Sequence, residues 1–253
     1  MLGFNGGLMG VRRTATTGAA SGLWFQNEQS VARRAGIWPL VGADPSFANV
    51  SLLLHMDGSN GSTTFTDSGP NARPVTRTGN AQISTAQSKF GGASALFDGS
   101  GDILSVLDYA DMEMTADFTI ECSAYPTVTT DKIIAGHNVQ NVQLFRINSG
   151  AVGNMSFYLN GTQVFSNTAA GITANQWQHL AISRTGSTTR MFVDGTQIGS
   201  PNTSWTGSFK FNLIGGMFGI DFQGYIDEFR VTKGVGRYDS ASFTVPTAAF
   251  PDF

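Results

Sequence analysis

Residues 177–199, WQHLAISRTGSTTRMFVDGTQIG, hold the pattern that decides the fold. Leu180 and Ile182 alternate with His179, Ala181 and Ser183. Thr185, Gly186 and Ser187 interrupt that run, Arg190 to Val193 resumes it, and Asp194-Gly195 ends it. Successive side chains of a strand point to opposite faces, and Asp-Gly accepts the positive φ angles of a tight hairpin. The stretch therefore reads strand, turn, strand, turn, strand, since a helix would repeat at 3.6. It places Leu180, Ile182 and Phe192 in a core shared with Phe211 and Phe229.

The same signal recurs on both sides. Val50, Leu52, Leu54 and Met56 alternate with Ser51, Leu53, His55 and Asp57, before Asp57-Gly58 and Asn60-Gly61 break the run. Residues 94–106 read as two strands joined by Phe97-Asp98-Gly99-Ser100-Gly101. Further strands are expected at 118–125, ended by Pro126, and at 132–135 and 142–147. Asn160-Gly161 joins 156–159 to 162–165 in a type I′ hairpin, so Leu159 should face Thr162 and Phe157 should face Val164. Residues 209–213 alternate strictly, and 225–232 form the last strand. About a dozen short strands with turns between them predict an all-β, two-sheet antiparallel sandwich or jelly roll.

Composition agrees with that reading. The chain has 253 residues, 31 of them Gly and 19 Phe, and only 13% are charged, against roughly 25% in ordinary globular chains. Many turns and a large apolar core follow. The single cysteine, Cys122, excludes an intrachain disulfide framework. It lies in the row Phe118, Ile120, Cys122, Ala124, which reads as a buried inert thiol. No stretch approaches the about 18 continuous apolar residues of a membrane span. At the N-terminus the arginines follow the apolar part, the reverse of a secretory signal, so no signal peptide is expected and the chain should be made and left in a cytoplasm.

Charge divides the chain. Residues 1–43 carry Arg12, Arg13, Arg33 and Arg34 against Glu28, a net +3, whereas 44–253 carry 11 basic and 17 acidic residues, a net −6. We read residues 1–45 as an extended N-terminal arm and 46–253 as one sandwich domain. Within the arm, Asn27 can cap a short helix over 28–35 with Arg33 and Arg34 in its last turn. Trp24, Phe25, Ile37 and Trp38 have few apolar neighbours there, so they either fold back on the sandwich or meet a partner surface. The acidic body and scattered basic residues give no support to nucleic-acid binding.

LLLHMDG, FTDSGPN, SALFDGSGDILSV, FTIECSAYP, WQHLAISR, MFVDG and GYIDEFRV occur here in order. This ordered set resembles the laminin-G-like jelly rolls of the concanavalin A-like lectin/glucanase superfamily, across about residues 47–240. Cys122, Ser123 and Ala124 depart from the family's usual Ala-Trp-like pair, and Met191-Phe192 from its Leu-Tyr, both conservatively for packing. The arm wording, MLGFNGGLMGVRR and SGLWFQNEQSVARRAGIWP, is similar to arms that precede such domains in structural proteins of tailed phages. That resemblance implies a virion protein, a capsid decoration or a tail-associated component assembled in the host cytoplasm. The arm would dock it to other virion proteins, and a homo-oligomer, a trimer above all, would display the sandwich. The alternative is a glycan-binding adhesin or lectin that recognises a host-surface glycan.

Enzymatic chemistry finds little support. The superfamily's glucanases need carboxylates at alternate positions of one strand, and no Glu-x-Asp-x-Glu run is present. Asp111-Met112-Glu113 is the nearest approach, no Gly-x-Ser-x-Gly elbow exists, and His55, His137 and His179 have no catalytic spacing. Asp227 is more informative. It falls in one row with Tyr225, Phe229 and Val231, so its carboxylate should face an apolar side of the strand and need a partner. In the resembling family the matching strand often helps hold a structural Ca²⁺ with an Asp-containing turn, which implies Asp227 with Asp67 or Asp57. An ion pair to Arg, or capping of backbone amides, would serve Asp227 equally. Trp205 and Asn202, in PNTSWTGS, are the candidate glycan contacts, unless the Trp packs inward.

Overall fold

The computed structural model describes residues 43–253 except 108, 138, 160, 161 and 206. Its strands are β1 (Val50–Leu54), β2 (Thr76–Thr78), β3 (Gln82–Ser84), β4 (Ser94–Asp98), β5 (Ile103–Ser105), β6 (Glu113–Met114), β7 (Phe118–Pro126), β8 (Lys132–His137) and β9 (Val142–Ile147). They continue as β10 (Asn154–Leu159), β11 (Thr162–Ala169), β12 (Gln178–Thr185), β13 (Thr188–Val193), β14 (Thr196–Asn202), β15 (Phe209–Lys210), β16 (Leu213–Ile214) and β17 (Gln223–Lys233). Among the described residues, helix is confined to two 3₁₀ turns, Phe47–Asn49 and Ala110–Met112. No helix there is long and apolar enough to cross a membrane.

Two antiparallel sheets form the sandwich. The back sheet runs β14-β13-β12-β7-β17-β4-β3, with β1 also on β17, and the front sheet runs β11-β10-β9-β8-β16-β5-β2. The opening stretch is the hairpin β12-β13 followed by β14, with Leu180 opposite Val193 and Ile182 opposite Met191. Leu180, Ile182, Phe211 and Phe229 join Phe118, Ile120, Cys122 and Ala124 in the inter-sheet core. Burial pushes the Cys122 thiol far above its usual range, which keeps it inert.

Phe192 corrects the expected core. It is fully buried, yet on the outer face of the back sheet, where its ring meets Tyr238 and Phe243 at centroid distances of 5.9 and 5.2 Å. The chain after β17 folds back over that face. Gln197 N–H donates to Ala241 O, Phe243 N–H donates to Gly195 O, and Tyr238 and Phe243 stack at 3.5 Å. His179, Ala181 and Ser183 are therefore as buried as Leu180 and Ile182. The two-residue period identifies the strand but does not tell which face is wet.

A buried polar cluster holds this cover. Glu121 on β7 is fully buried and accepts from Arg230 Nε and Nη2 at 3.0 and 2.8 Å, from Tyr238 OH at 2.6 Å and from His179 Nε2 at 3.0 Å. Burial opposes ionisation of this carboxyl. The Arg230 charge and the His179 and Tyr238 hydrogen bonds outweigh it and hold the group at about 2.

Three further readings change. Residues 209–213 split between β15, paired with β6, and β16, in the front sheet, because Phe211 turns into the core between them. β4 and β5 lie in different sheets, so FDGSG crosses the sandwich edge instead of closing a hairpin. In β10-β11, Leu159 does face Thr162, but a register shift places Phe157 opposite Phe165, not Val164.

Candidate functional site

The outer face of the front sheet carries a polar and aromatic patch that a bulge creates. Leu144 and Phe145, consecutive in β9, both enter the core. Phe145 has φ +48, and the three steps from Gln143 to Arg146 span the two steps from Tyr158 to Ser156 on β10. The extra residue puts Gln143 and Arg146 on one face, the outer one. Arg146 Nε donates to Asp131 Oδ1 at 2.9 Å, its Nη2 donates to Asp131 Oδ2, and its Nη1 donates to Gln143 Oε1 at 2.9 Å. The guanidinium carbon sits 5.2 Å from the centroid of the Tyr158 ring, whose OH accepts from Gln163 Nε2. Gln143 Nε2 in turn donates to Asn141 Oδ1.

Sequence reasoning did not single out these residues. β9 reads VQLFRI, where strict alternation sets Gln143 and Arg146 on opposite faces. No motif marks the bulge, and Phe145 is an unusual residue to hold a positive φ. The patch becomes visible when the strands are paired.

Asp227 occupies a different position from the expected one. A bulge at Glu228, φ +50, shifts the pairing of β17 with β7 between Asp227 and Arg230. Phe229 and Val231 therefore enter the core with Ile226, while Asp227 leaves that row and lies under the 88–92 loop. Its Oδ2 accepts from Lys89 N–H at 2.7 Å and Phe90 N–H at 3.0 Å, and its Oδ1 is buried with no hydrogen-bond partner among the described residues. Burial pushes this carboxyl up to about 7. The two amides oppose that shift, and the charges of Glu228 and Asp57 add to it. Asp57 meets the same loop, since a Cβ built on Gly91 would come 2.0 Å from Asp57 Oδ1. Burial raises its carboxyl as well.

Asp67 is engaged elsewhere. Its Oδ1 accepts from Leu53 N–H and Gly69 N–H at 2.9 and 2.8 Å, and its Oδ2 from Arg73 N–H at 2.8 Å. The three carboxylates Asp57, Asp67 and Asp227 are not assembled into one metal cage. Among the described residues no group of three or more His, Cys, Asp or Glu side chains could hold an ion. Asp67 is a turn cap. Asp57 and Asp227 converge on one loop, and the orphaned Oδ1 of Asp227 is the feature a cation would satisfy.

Of the two expected glycan contacts, Trp205 packs against the core and Asn202 lines a groove between two strand edges. Trp205 is half-buried against the core, edge-on to Phe118 and Phe157 at 6.3 and 5.8 Å, with Arg184 5.2 Å from its ring. Asn202 Nδ2 donates to Val164 O, and its Oδ1 accepts from Ser204 N–H and Trp205 N–H. Asn202 thus ties β14 to β11, the edge strands of the two sheets. A shallow groove of about 350 Å³ lies there, lined by Val164, Phe165, Ser166, Thr168 and residues 200–204. Trp24, Phe25, Arg33, Arg34, Ile37 and Trp38 and the helix expected over 28–35 lie outside the described residues.

A family model described as the concanavalin A-like lectin/glucanases superfamily matches residues 97–235, more than half of the chain. The chain belongs to this superfamily. Solved structures of similar fold include domain 4 of AbnA, a GH43 extracellular arabinanase from Geobacillus stearothermophilus, in complex with arabinotriose. It is 19% identical with a TM-score of 0.54, over 74% of this chain and 94% of that one. The botulinum neurotoxin serotype D binding domain is 15% identical with a TM-score of 0.53, over 75% and 49%. Trypanosoma rangeli sialidase in complex with sialic acid is 12% identical with a TM-score of 0.53, over 78% and 32%. This chain thus spans nearly all of the arabinanase domain, about half of the toxin domain and about a third of the sialidase chain. At such identities the likeness establishes the lectin-like sandwich fold, which hydrolases, sialidases and binding domains share. A comparison with curated protein sequences returned no match.

Proposed function

We propose that this chain is a non-catalytic carbohydrate-binding module whose binding surface is the outer face of the front sheet. The observation that carries the reading is the patch of Arg146, Asp131, Gln143 and Tyr158, where donors, acceptors and an aromatic ring converge on three neighbouring elements. Sugar hydroxyls require paired donors and acceptors, and a site built to hydrogen-bond them rejects ligands that leave those groups unpaired. A glycosidase would need two carboxyl groups. Asp131 is the carboxylate of this patch, and both of its oxygens are bound by Arg146. Support also comes from the arabinotriose-bound arabinanase domain of similar fold.

A structural Ca²⁺ fits the protein at Asp57 and Asp227, without Asp67. The ion would satisfy the orphaned Asp227 Oδ1 and tie the 88–92 loop to β17. Its contribution is to stability, and no step of recognition is assigned to it.

Residues 1–43 support a second role that is compatible with the first. Their net charge of +3 against −6 for the remainder, with Trp24, Phe25, Ile37 and Trp38, fits docking to an acidic, partly apolar partner. In this reading the module is a structural virion component of a tailed phage, on capsid or tail, and its sandwich is displayed as an oligomer. Glycan-array binding of the full chain tests the carbohydrate reading. Signal on defined oligosaccharides that disappears in Arg146→Gln is expected, and an array without signal removes the reading.

A further inference from the structure

A short finger rises from the front sheet beside the patch. After β16 the chain leaves β8 at Gly215, whose N–H donates to Ile134 O, and returns at Asp221, which bridges Ile133. Phe222 N–H closes the base on Gly215 O at 2.7 Å, and Ile220 N–H closes the tip on Met217 O at 3.0 Å. Glycine is required at the base: a Cβ on Gly215 would come 2.4 Å from Phe97, and one on Gly216 2.5 Å from the Asp221 Cα. Below the base, Phe222 is buried in the core, and Asp221 Oδ2 accepts from Gly101 N–H at 2.8 Å.

The finger lies on the patch side of the sheet. Gly136 is directly opposite Gln143, so the two positions share a face, and a Cβ on Gly136 would come 3.1 Å from Met217 Sδ. Ile133, which the finger bridges, is directly opposite Arg146. Ile133 and Met217 are buried, yet neither belongs to the inter-sheet core. The finger thus covers β8, the strand next to the one that carries Gln143 and Arg146.

Its tip carries an unsuited residue. Phe218 has φ +57 and Gly219 φ +75, the two positive angles of a type I′ turn, where Asn-Gly is the favoured pair. A large ring at such a position is strained, and this ring is 61% exposed. Folding therefore gains nothing visible from Phe218. Backbone strain of this kind persists where function uses it.

We propose that Phe218 is the apolar wall of the binding site and that its ligand is a neutral pyranose. This rests on the reading of the front-sheet face as a glycan site. An aromatic ring accepts the C–H face of a pyranose, while Asp131 and Gln143 meet the hydroxyls at its rim, the usual division between apolar contact and a few orienting polar groups. Charge selects the class. Arg146 is neutralised by two hydrogen bonds to Asp131, so a sialic or uronic acid would have to displace one carboxylate to reach the guanidinium and would leave the other unpaired.

The test compares wild type, Phe218→Asn, Phe218→Trp and Arg146→Gln as full chains on an array of neutral-hexose, sialylated and uronate oligosaccharides, with melting and sedimentation runs alongside. Wild type should bind neutral glycans. Phe218→Asn, which creates the favoured Asn-Gly turn, should melt higher yet bind about tenfold more weakly, the order expected for loss of one aromatic partner. Phe218→Trp should keep binding at the wild-type level. Binding lost in Arg146→Gln but unchanged in Phe218→Asn would leave the glycan site standing and remove Phe218 from it. Binding confined to acidic glycans would overturn the neutral class. An oligomer that dissociates in Phe218→Asn with glycan binding intact would assign the ring to a contact between copies instead. Absence of wild-type signal would overturn the site and this wall together.

Discussion

Gln143 and Arg146 share a face of β9 although they stand three positions apart, and Arg146 Nη1 donates to Gln143 Oε1 at 2.9 Å. A regular strand would set them on opposite sides of the sheet. Phe145, in the left-handed region at φ +48, supplies the extra half-period. One bulge therefore converts a strand that reads as ordinary core into one that presents an amide and a guanidinium side by side.

Arg146→Ala should separate binding from stability. The Arg146–Asp131 pair is partly exposed, 19% and 36% for the two side chains, so its loss should cost about 1 kcal/mol or less in denaturant unfolding. Glycan-array signal should vanish in the same variant. A fall in stability of several kcal/mol would show that the pair is a structural element of the sheet.

Glu121 should govern acid stability. Its carboxyl sits at about 2 in the folded protein against 4.5 for an ordinary glutamate, so the unfolded chain takes up the proton first as pH falls. Its stabilisation is fully present above about 4.5 and is lost between there and about 2. Melting temperature should therefore fall across that window in wild type, and the difference curve against Glu121→Gln should shrink as pH drops. At neutral pH Glu121→Gln removes the buried charge that meets Arg230 Nε and Nη2 and should cost about 3–5 kcal/mol. A difference curve flat from pH 5 to 2 would refute the assignment.

Calcium should raise the melting temperature of wild type relative to chelator, by the equivalent of about 2.7 kcal/mol when the free ion is a hundredfold above Kd. Asp227→Asn should abolish that response. Asp67→Asn should lower stability in calcium and chelator alike, because its carboxylate caps three backbone amides. A wild-type protein indifferent to calcium would leave Asp227 as a cap for Lys89 and Phe90.

Gly136→Ala should disturb the floor beneath the finger. The added Cβ would stand 2.1 Å from Val142 O and 3.1 Å from Met217 Sδ. Overpacking of this kind costs about 1–3 kcal/mol, readable by chemical denaturation. An unchanged midpoint would mean that Met217 and β9 yield without strain.

The arm proposal is checked by co-sedimentation with particles that lack this protein. A chain starting at Asp44 should fold but fail to sediment with them, and Trp24→Ala or Trp38→Ala should each weaken attachment by about 2 kcal/mol or more. Equal sedimentation of the shortened chain would transfer attachment to the sandwich.

The sequence by itself located the long strands and the residues that can form a core, while the short strands β2, β3 and β6 carry too little pattern to be read. Leu180, Ile182, Phe211, Phe229 and the Phe118–Ala124 row are all buried between the sheets, because period and hydrophobicity are local properties. It could not tell the faces of the back sheet apart. Phe192, His179 and Ser183 are covered by a segment about 45 residues or more further along, and only tertiary contact decides that cover. Nor could it register the bulges at Phe145 and Glu228, each of which moves every later side chain to the other face. One bulge removed Asp227 from the apolar row where alternation placed it, and the other assembled Gln143 and Arg146. The candidate site depends on those half-period shifts, which arise from pairing between strands and leave no mark in either strand alone.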